Sequence, residues 1–230
     1  MARDSTEKRI LKHPLASRIF HWCLIMGFLP AAISGFILWL KVGGDGIRHV
    51  ALEIHMMGAT VFTVSVIGYM ILRFTRVLAY VHRIFSWNKN DLGWFKVLGG
   101  YPQKILFGKN VEVPPMGKIN SGQKILSIVL FFGGPILIIT GWILYAYIPV
   151  LPKIFIFWVD VVHLILGVLC GLFIIGHIFL GVYNWSDFKV MFGDGVIDFA
   201  EANEHTPVWV KNEVEPVNHQ PLSNLKVVEK

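Results

Sequence analysis

The chain has 230 residues, 54% of them hydrophobic, and a mean hydropathy of +0.59. That is too apolar for an ordinary soluble domain of this size and points to membrane residence. The net charge of +6 comes from 21 Lys and Arg against 15 Asp and Glu, and their placement reads as a topology signal, which excludes nucleic-acid binding as its explanation.

Residues 1–18 read as a basic tail with Arg3, Lys8, Arg9, Lys12 and Arg18. A first apolar stretch follows, Ile19–Leu40, longer than the ~20 residues a helix needs to cross a bilayer. A basic start followed by an apolar run also describes a signal peptide. This run is too long for one, however, and no small-x-small cleavage pattern ends it, so the segment is expected to be retained. His21 lies near its beginning.

A short connection with Lys41, Arg48 and His49 leads to the second span, Val50–Leu72, which carries His55. The next 52 positions, 73–124, form a long basic loop with Arg73, Arg76, Arg83, Lys89, Lys96, Lys104, Lys109, Lys118 and Lys124. Between Arg83 and Lys109 it is rich in aromatics (Phe85, Trp87, Trp94, Phe95) and reads as an interfacial basic-aromatic helix or a docking surface for another subunit. The third span, Ile125–Tyr147, has no charge, and Pro135 after Gly133-Gly134 is expected to kink it. Lys153 precedes the fourth span, Ile154–Tyr183, which carries His163 and His177. The tail 184–230 adds Lys189, Lys211, Lys226 and Lys230. Past Asp198 it is polar, with Pro207, Pro216 and Pro221, and is expected to be extended and held by a partner.

With an even number of spans, eighteen basic residues fall on one side and three on the other. The positive-inside rule then puts both termini and the long loop in the cytoplasm. The expected organisation is a cytoplasmic tail (1–18), a four-helix membrane domain with its cytoplasmic loop (19–183, loop 73–124), and a second cytoplasmic tail (184–230).

Nine histidines are present. His13, His205 and His219 in the tails and His49 and His82 in loops are expected to be solvated. The other four lie in spans, where an ionisable residue is a functional hypothesis by default. His163 and His177 are fourteen residues apart. At about 100° per residue that is within about 40° of four whole turns, so both rings leave one helix face about 21 Å apart along its axis. Chain direction sets the depths: His21 near the cytoplasmic end, His55 near the outer end, His163 in the outer half and His177 in the inner half. The depth-matched pairs are therefore His55 with His163 and His21 with His177. Two bis-imidazole sites sharing the fourth helix describe an electron path through two b-type haems, because paired imidazoles saturate iron and leave no open position for a substrate.

The competing reading is that these histidines hydrogen-bond across helices as packing contacts. Metal transport would want carboxylates or thiolates near the middle, and the acidic residues of the spans, Glu53 and Asp160, lie near outer ends. The cysteines, Cys23 and Cys170, lie in spans without a CxxCH or a cysteine cluster, so they read as small buried residues, not as ligands. Gly58, Gly167 and Gly181, each about one turn after a histidine, are expected to leave room for a macrocycle, although Gly167 and Gly171 also form a GxxxG packing pattern. Arg18 on the cytoplasmic side, and Arg48 or Lys153 outside, are candidate propionate partners. The expected fold is all-α: an integral four-helix bundle holding two haems between its helices.

Three strings carry a family resemblance: RIFHW (18–22), GKINSGQK (117–124) and VHLILGVLCGLFIIGHIFLGVY (162–183). Together they resemble the dihaem cytochrome b (gamma) subunit of membrane-bound respiratory formate dehydrogenases, and more distantly the cytochrome b of nickel–iron hydrogenases. The resemblance implies two haems b, with His55 and His163 on the outer one and His21 and His177 on the inner one. It further implies an iron–sulfur subunit that relays electrons from a molybdenum or tungsten catalytic subunit (nickel–iron in a hydrogenase), and a complex able to form higher oligomers. Menaquinone would be reduced at the cytoplasmic face, in a pocket lined by Asn120, Gly122, Gln123 and His177. A polar run at a helix start supplies the amide donors, bare backbone and water contact a quinone headgroup needs. The plainer reading is that Asn120 or Ser121 caps the third helix and Lys118 and Lys124 anchor it. Electron flow from quinol to a reductase, a haem-free anchor or transporter, and an ascorbate- or ferric-reducing cytochrome b561 are the alternatives. The last is disfavoured by four spans and the GKINSGQK loop.

Overall fold

The computed structural model describes residues 9–215. Arg3, Lys8, Pro216, His219, Pro221, Lys226 and Lys230 lie outside the described residues. In chain order the elements are β1 (Arg9–Leu11), α1 (Leu15–Trp39), α2 (Asp45–Leu72), α3 (Phe74–Phe85), α4 (Lys89–Val97) and, after a 3₁₀ turn (Leu98–Gly100), α5 (Tyr101–Phe107). Then come α6 (Ser121–Tyr147), α7 (Lys153–Tyr183), α8 (Trp185–Phe192), β2 (Val196–Asp198), α9 (Phe199–His205) and α10 (Pro207–Trp209), which runs on into a π turn (Val210–Val214).

α1, α2, α6 and α7 are the four helices long and apolar enough to cross a membrane. They begin one to five residues before the expected spans because each helix extends into the interface. α6 starts at a capping box: Asn120 Oδ1 accepts from the Gln123 amide at 2.9 Å, and Gln123 Oε1 accepts from the Asn120 amide at 2.9 Å. It runs unbroken through Pro135. Large apolar side chains such as Met26, Val64, Ile71, Ile139 and Leu172 are exposed on these helices, as a lipid-facing surface requires.

The bundle is two tight hairpins, α1–α2 and α6–α7, joined by sparser contacts. In the first, backbone meets backbone. A Cβ on Gly27 would sit 2.5 Å from the Phe62 amide nitrogen, and one on Gly58 would sit 2.7 Å from the Gly27 carbonyl oxygen. Gly58 is thus a helix-crossing residue; the expectation that it clears space for a macrocycle is corrected. Gly27→Ala should destabilise the fold by about 1–3 kcal/mol, since the clash is with backbone that cannot rotate away. Thermal unfolding in detergent checks this. Between the hairpins the contacts are side-chain ones: Phe62 against Gly134, Phe36 against Gly171, and Trp142 Nε1 donating to Thr63 Oγ1 at 3.1 Å.

On the side where α1 begins and α7 ends, called here the basic side, α3 and α4 fold back over the start of α6, and α5 packs on α4, its Tyr101 hydroxyl accepting from Asn184 at the end of α7 at 3.0 Å. The aromatic-rich stretch is therefore not one helix lying apart. α4 has its own capping box from Asn88 and Asp91, and Trp94 is buried in a slot between two glycines. A Cβ on Gly99 (φ +64°) or Gly122 would come within 2.6 or 2.7 Å of the indole.

The tail differs most from expectation. β1 pairs antiparallel with β2 (Arg9↔Asp198, Ile10↔Ile197, Leu11↔Val196), so the chain is not purely helical. Residues 199–205 and 207–215 are helical, with a break at Thr206, not extended. Val190, Ile197, Ala202, Trp209 and Val210 form a small core, with Ile10, Phe199 and Val214 packed on it. Pro207 sits at the first position of α10, where its missing N–H costs nothing. The chain itself holds the segment: Arg83 donates to both Glu213 oxygens at 2.8 and 3.0 Å, Val208 donates to the Met116 carbonyl at 3.2 Å, and the Lys118 ammonium lies 5.0 Å from the Trp209 ring centre.

Candidate functional site

α7 supplies His163 and His177, α2 supplies His55 and α1 supplies His21, and the four rings come together as two pairs. The His55 and His163 ring centres are 6.1 Å apart at an interplanar angle of 70°. His21 and His177 are 6.2 Å apart at 69°. No hydrogen bond links the rings of either pair. A metal–imidazole bond of about 2.0–2.1 Å plus about 1.1 Å from nitrogen to ring centre puts two imidazoles on opposite sides of one metal about 6.3 Å apart. Both pairs have the spacing of opposed ligands and are too far apart for direct ring-to-ring hydrogen bonding.

The outer pair is also set in tautomer. His55 Nδ1 lies 2.8 Å from the Ala31 carbonyl oxygen, which can only accept, so Nδ1 carries the proton and Nε2 the free lone pair. His163 Nδ1 is 2.9 Å from Thr140 Oγ1, whose own proton goes to the Ile136 carbonyl at 2.7 Å; the imidazole is again the donor. Such bonds orient a ligating ring and raise the basicity of its other nitrogen. Glycines make space for both rings: a Cβ on Gly35 or Gly141 would lie 3.2 or 3.1 Å from Cε1 of His55 or His163. Sequence reasoning missed Ala31, Gly35, Thr140 and Gly141. They stand on helices other than that of the histidine each serves, so no spacing pattern links them.

The inner pair lies at the basic side, with the ring centres of His21 and Phe192 6.0 Å apart, edge to face. Arg18 is buried and donates to the Gly193 carbonyl, and its guanidinium carbon is 5.9 Å from the Trp22 ring centre. Around it the strap before α1 is tied to the tail. Lys12, buried, pairs with Asp187 at 2.5 Å, and the His13 amide donates to the Gly195 carbonyl at 3.0 Å. His13 is not the solvated tail residue expected from the sequence. Burial first, and then the charges of Lys12 and Lys118, lower its pKa to about 4, so it is neutral at pH 7. His82 and His205 are exposed, and His49 is exposed beside Glu53 at 3.2 Å. Arg48 pairs with Asp45 on its own helix.

The polar loop is committed in part. The side-chain oxygens of Asn120 and Gln123 accept from each other's backbone N–H in the capping box, while their side-chain NH2 groups have no hydrogen-bond partner among the described residues. Trp94 covers the bare backbone of Gly122. Lys124 is no interfacial anchor: its ammonium is buried against Asp91, 2.8 and 2.9 Å from the two carboxylate oxygens, and reaches the Ser86 carbonyl at 2.7 Å. Ser121 Oγ donates to the same carboxylate at 2.8 Å.

No group of three or more His, Cys, Asp or Glu gathers among the described residues, so the protein offers only two ligands at each depth. That donor set suits a metal whose other four positions are filled by a macrocycle. Space is consistent with this, since a Cβ on Gly167 or Gly181 would meet nothing within 4 Å. The residues present therefore fit haem at both levels.

The comparisons agree with this chemistry. Residues 12–194 match the prokaryotic cytochrome b561 family. The chain is similar to the formate dehydrogenase cytochrome b556 subunit of Haemophilus influenzae, with 27% identity over 224 residues, covering 91% of this chain and 86% of that protein. The cytochrome b561 name, disfavoured above for the ascorbate- or ferric-reducing type, thus returns in a prokaryotic form. From the strap before α1 to the turn before β2, across all four spans and both histidine pairs, the chain belongs to the prokaryotic cytochrome b561 family.

Proposed function

We propose that this multi-pass inner-membrane protein is the dihaem cytochrome b subunit and membrane anchor of a formate-dehydrogenase-like respiratory complex. It takes electrons from an iron–sulfur subunit on the periplasmic side and delivers them to menaquinone at the cytoplasmic side. The observation that carries this reading is the pair of opposed imidazoles at each of two depths, 6.1 and 6.2 Å apart. His55 and His163 hold the outer haem, His21 and His177 the inner one. When bound, a haem with two imidazole ligands accepts and passes on single electrons without offering a site for oxygen or substrate.

The chain's own residues do the rest. α7 sets the two levels about 21 Å apart along its axis. The Ala31 carbonyl and the Thr140 hydroxyl hold the outer rings in register. On the basic side, Asn120 and Gln123 keep side-chain NH2 groups for the quinone carbonyls, with His177 and Gly122, the latter backed by Trp94, completing the pocket. Protons drawn there from the cytoplasm, against electrons arriving from outside, would charge the membrane. The basic loop and tails set both termini in the cytoplasm. Likeness to a formate dehydrogenase subunit supports a ferredoxin-like iron–sulfur partner and a molybdenum or tungsten catalytic partner.

The test is the dithionite-reduced-minus-oxidised spectrum of the purified protein. Sharp b-type bands and two haems per chain are expected; well-folded protein without haem rejects the reading. Co-purifying subunits then separate a formate dehydrogenase from a hydrogenase.

A further inference from the structure

We infer that Arg18 and Trp22 form a two-donor site for a carboxylate of the inner cofactor, a haem propionate. This inference rests on the function proposed above. Among the described residues, four buried side-chain nitrogen or oxygen atoms lack a hydrogen-bond partner, and three of them sit on one turn of α1: Arg18 Nε, His21 Nδ1 and Trp22 Nε1. Native interiors satisfy nearly all such atoms, so a cluster of exceptions marks a missing group. Arg18 Nε and Trp22 Nε1 can only donate, so the missing group is an acceptor, and the permanent guanidinium charge favours an anionic one. By contrast, at the outer pair both Nδ1 atoms find partners within the protein.

Among the described residues, the carboxylates nearest in the fold are already paired. Asp187 is taken by Lys12, while Asp194 and Asp198 are taken by Arg9. The guanidinium is also aimed. Its NH1 is held by the Gly193 carbonyl, and a Cβ on Gly195 would fall 2.1 Å from the His13 carbonyl oxygen and 3.0 Å from Nε. Gly195 has φ +84°, a conformation that favours glycine, and its missing side chain leaves both the His13 carbonyl and the Nε edge uncrowded. Arg18 and Trp22 are four residues apart, about one helical turn, so they share a face of α1, and the guanidinium carbon lies 5.9 Å from the Trp22 ring centre.

Trp22→Phe keeps an aromatic ring and removes the donor. In the two-haem protein, the expected result is a lower midpoint potential at the inner haem alone, because a less neutralised carboxylate favours ferric iron. The resonance Raman propionate band should shift with it, while the outer haem's potential is unchanged. An inner haem with unaltered potential and band overturns the inference. If Trp22→Phe assembles without the inner haem, Arg18→Lys decides: it keeps a positive charge but lacks Nε. A shifted propionate band there supports the site, and an unshifted one overturns it. Wild-type protein that binds no haem defeats the proposed function instead, so the two failures are distinguishable.

Discussion

His177→Ala should leave one haem where there were two, with quinone reduction abolished while the outer haem can still be reduced through its iron–sulfur partner. The ring centres of His21 and His177 are 6.2 Å apart, so on the proposed reading removing one would leave the inner iron with a single protein ligand. The outer pair draws its ligands from α2 and α7 and its second contacts from α1 and α6, none of which involves residue 177. Haem extraction and a reduced-minus-oxidised spectrum check this, with His163→Ala as the converse that spares the inner haem. Equal loss of both haems from either variant with its fold intact would refute the pairing.

Asp91→Ala should destabilise the basic side by about 3–5 kcal/mol, the usual cost of leaving one charge of a buried pair without its partner. Asp91 is 0% exposed and Lys124 only 6%, so the ammonium would be left with the Ser86 carbonyl and the face of the Trp87 ring, and with no counter-charge. α4 and the first turn of α6 are joined through this carboxylate, and Trp94 is wedged against Gly122 beside it. The variant should therefore also slow quinone turnover, since Asn120 and Gln123 lose their fixed position. Replacing Asp91 and Lys124 together by Leu and Met should recover most of the stability, because no lone charge remains.

The pair also has a pH signature. Burial alone would raise the Asp91 pKa, but the bonds from Lys124, Ser121 and the Asn88 amide outweigh it and hold the carboxyl below the ordinary value. The unfolded chain therefore binds the proton more readily than the folded one. The contribution is fully present above the ordinary carboxylate pKa of about 3.9 and is lost as pH falls through the depressed folded value. Thermal unfolding at pH 7 and pH 3, followed by tryptophan emission, should show this acid loss in the native chain and less of it in Asp91→Ala.

The sequence by itself determined the four spans and which histidines pair. The reason is that hydropathy, helical period and chain direction are one-dimensional properties, and together they assign each residue a depth and a face. Other features were decided only by tertiary structure. Gly58 packs against Gly27 and Ala31 because of where two helices cross, and its distance from His55 in the chain carries no trace of that. Thr140 and Gly35 serve histidines of other helices, through rotations that no single helix's pattern encodes. Lys124 reads as an interfacial anchor until α4, more than thirty residues earlier, brings Asp91 to it. The tail looked too polar to fold alone, and it does not: Ile197, Ala202, Trp209 and Val210 close a core only once β1 pairs with β2 and the loop before α6 packs under Trp209. A residue's depth follows from its own segment, but its contacts depend on how segments cross, and crossing angles are set by packing over the whole bundle.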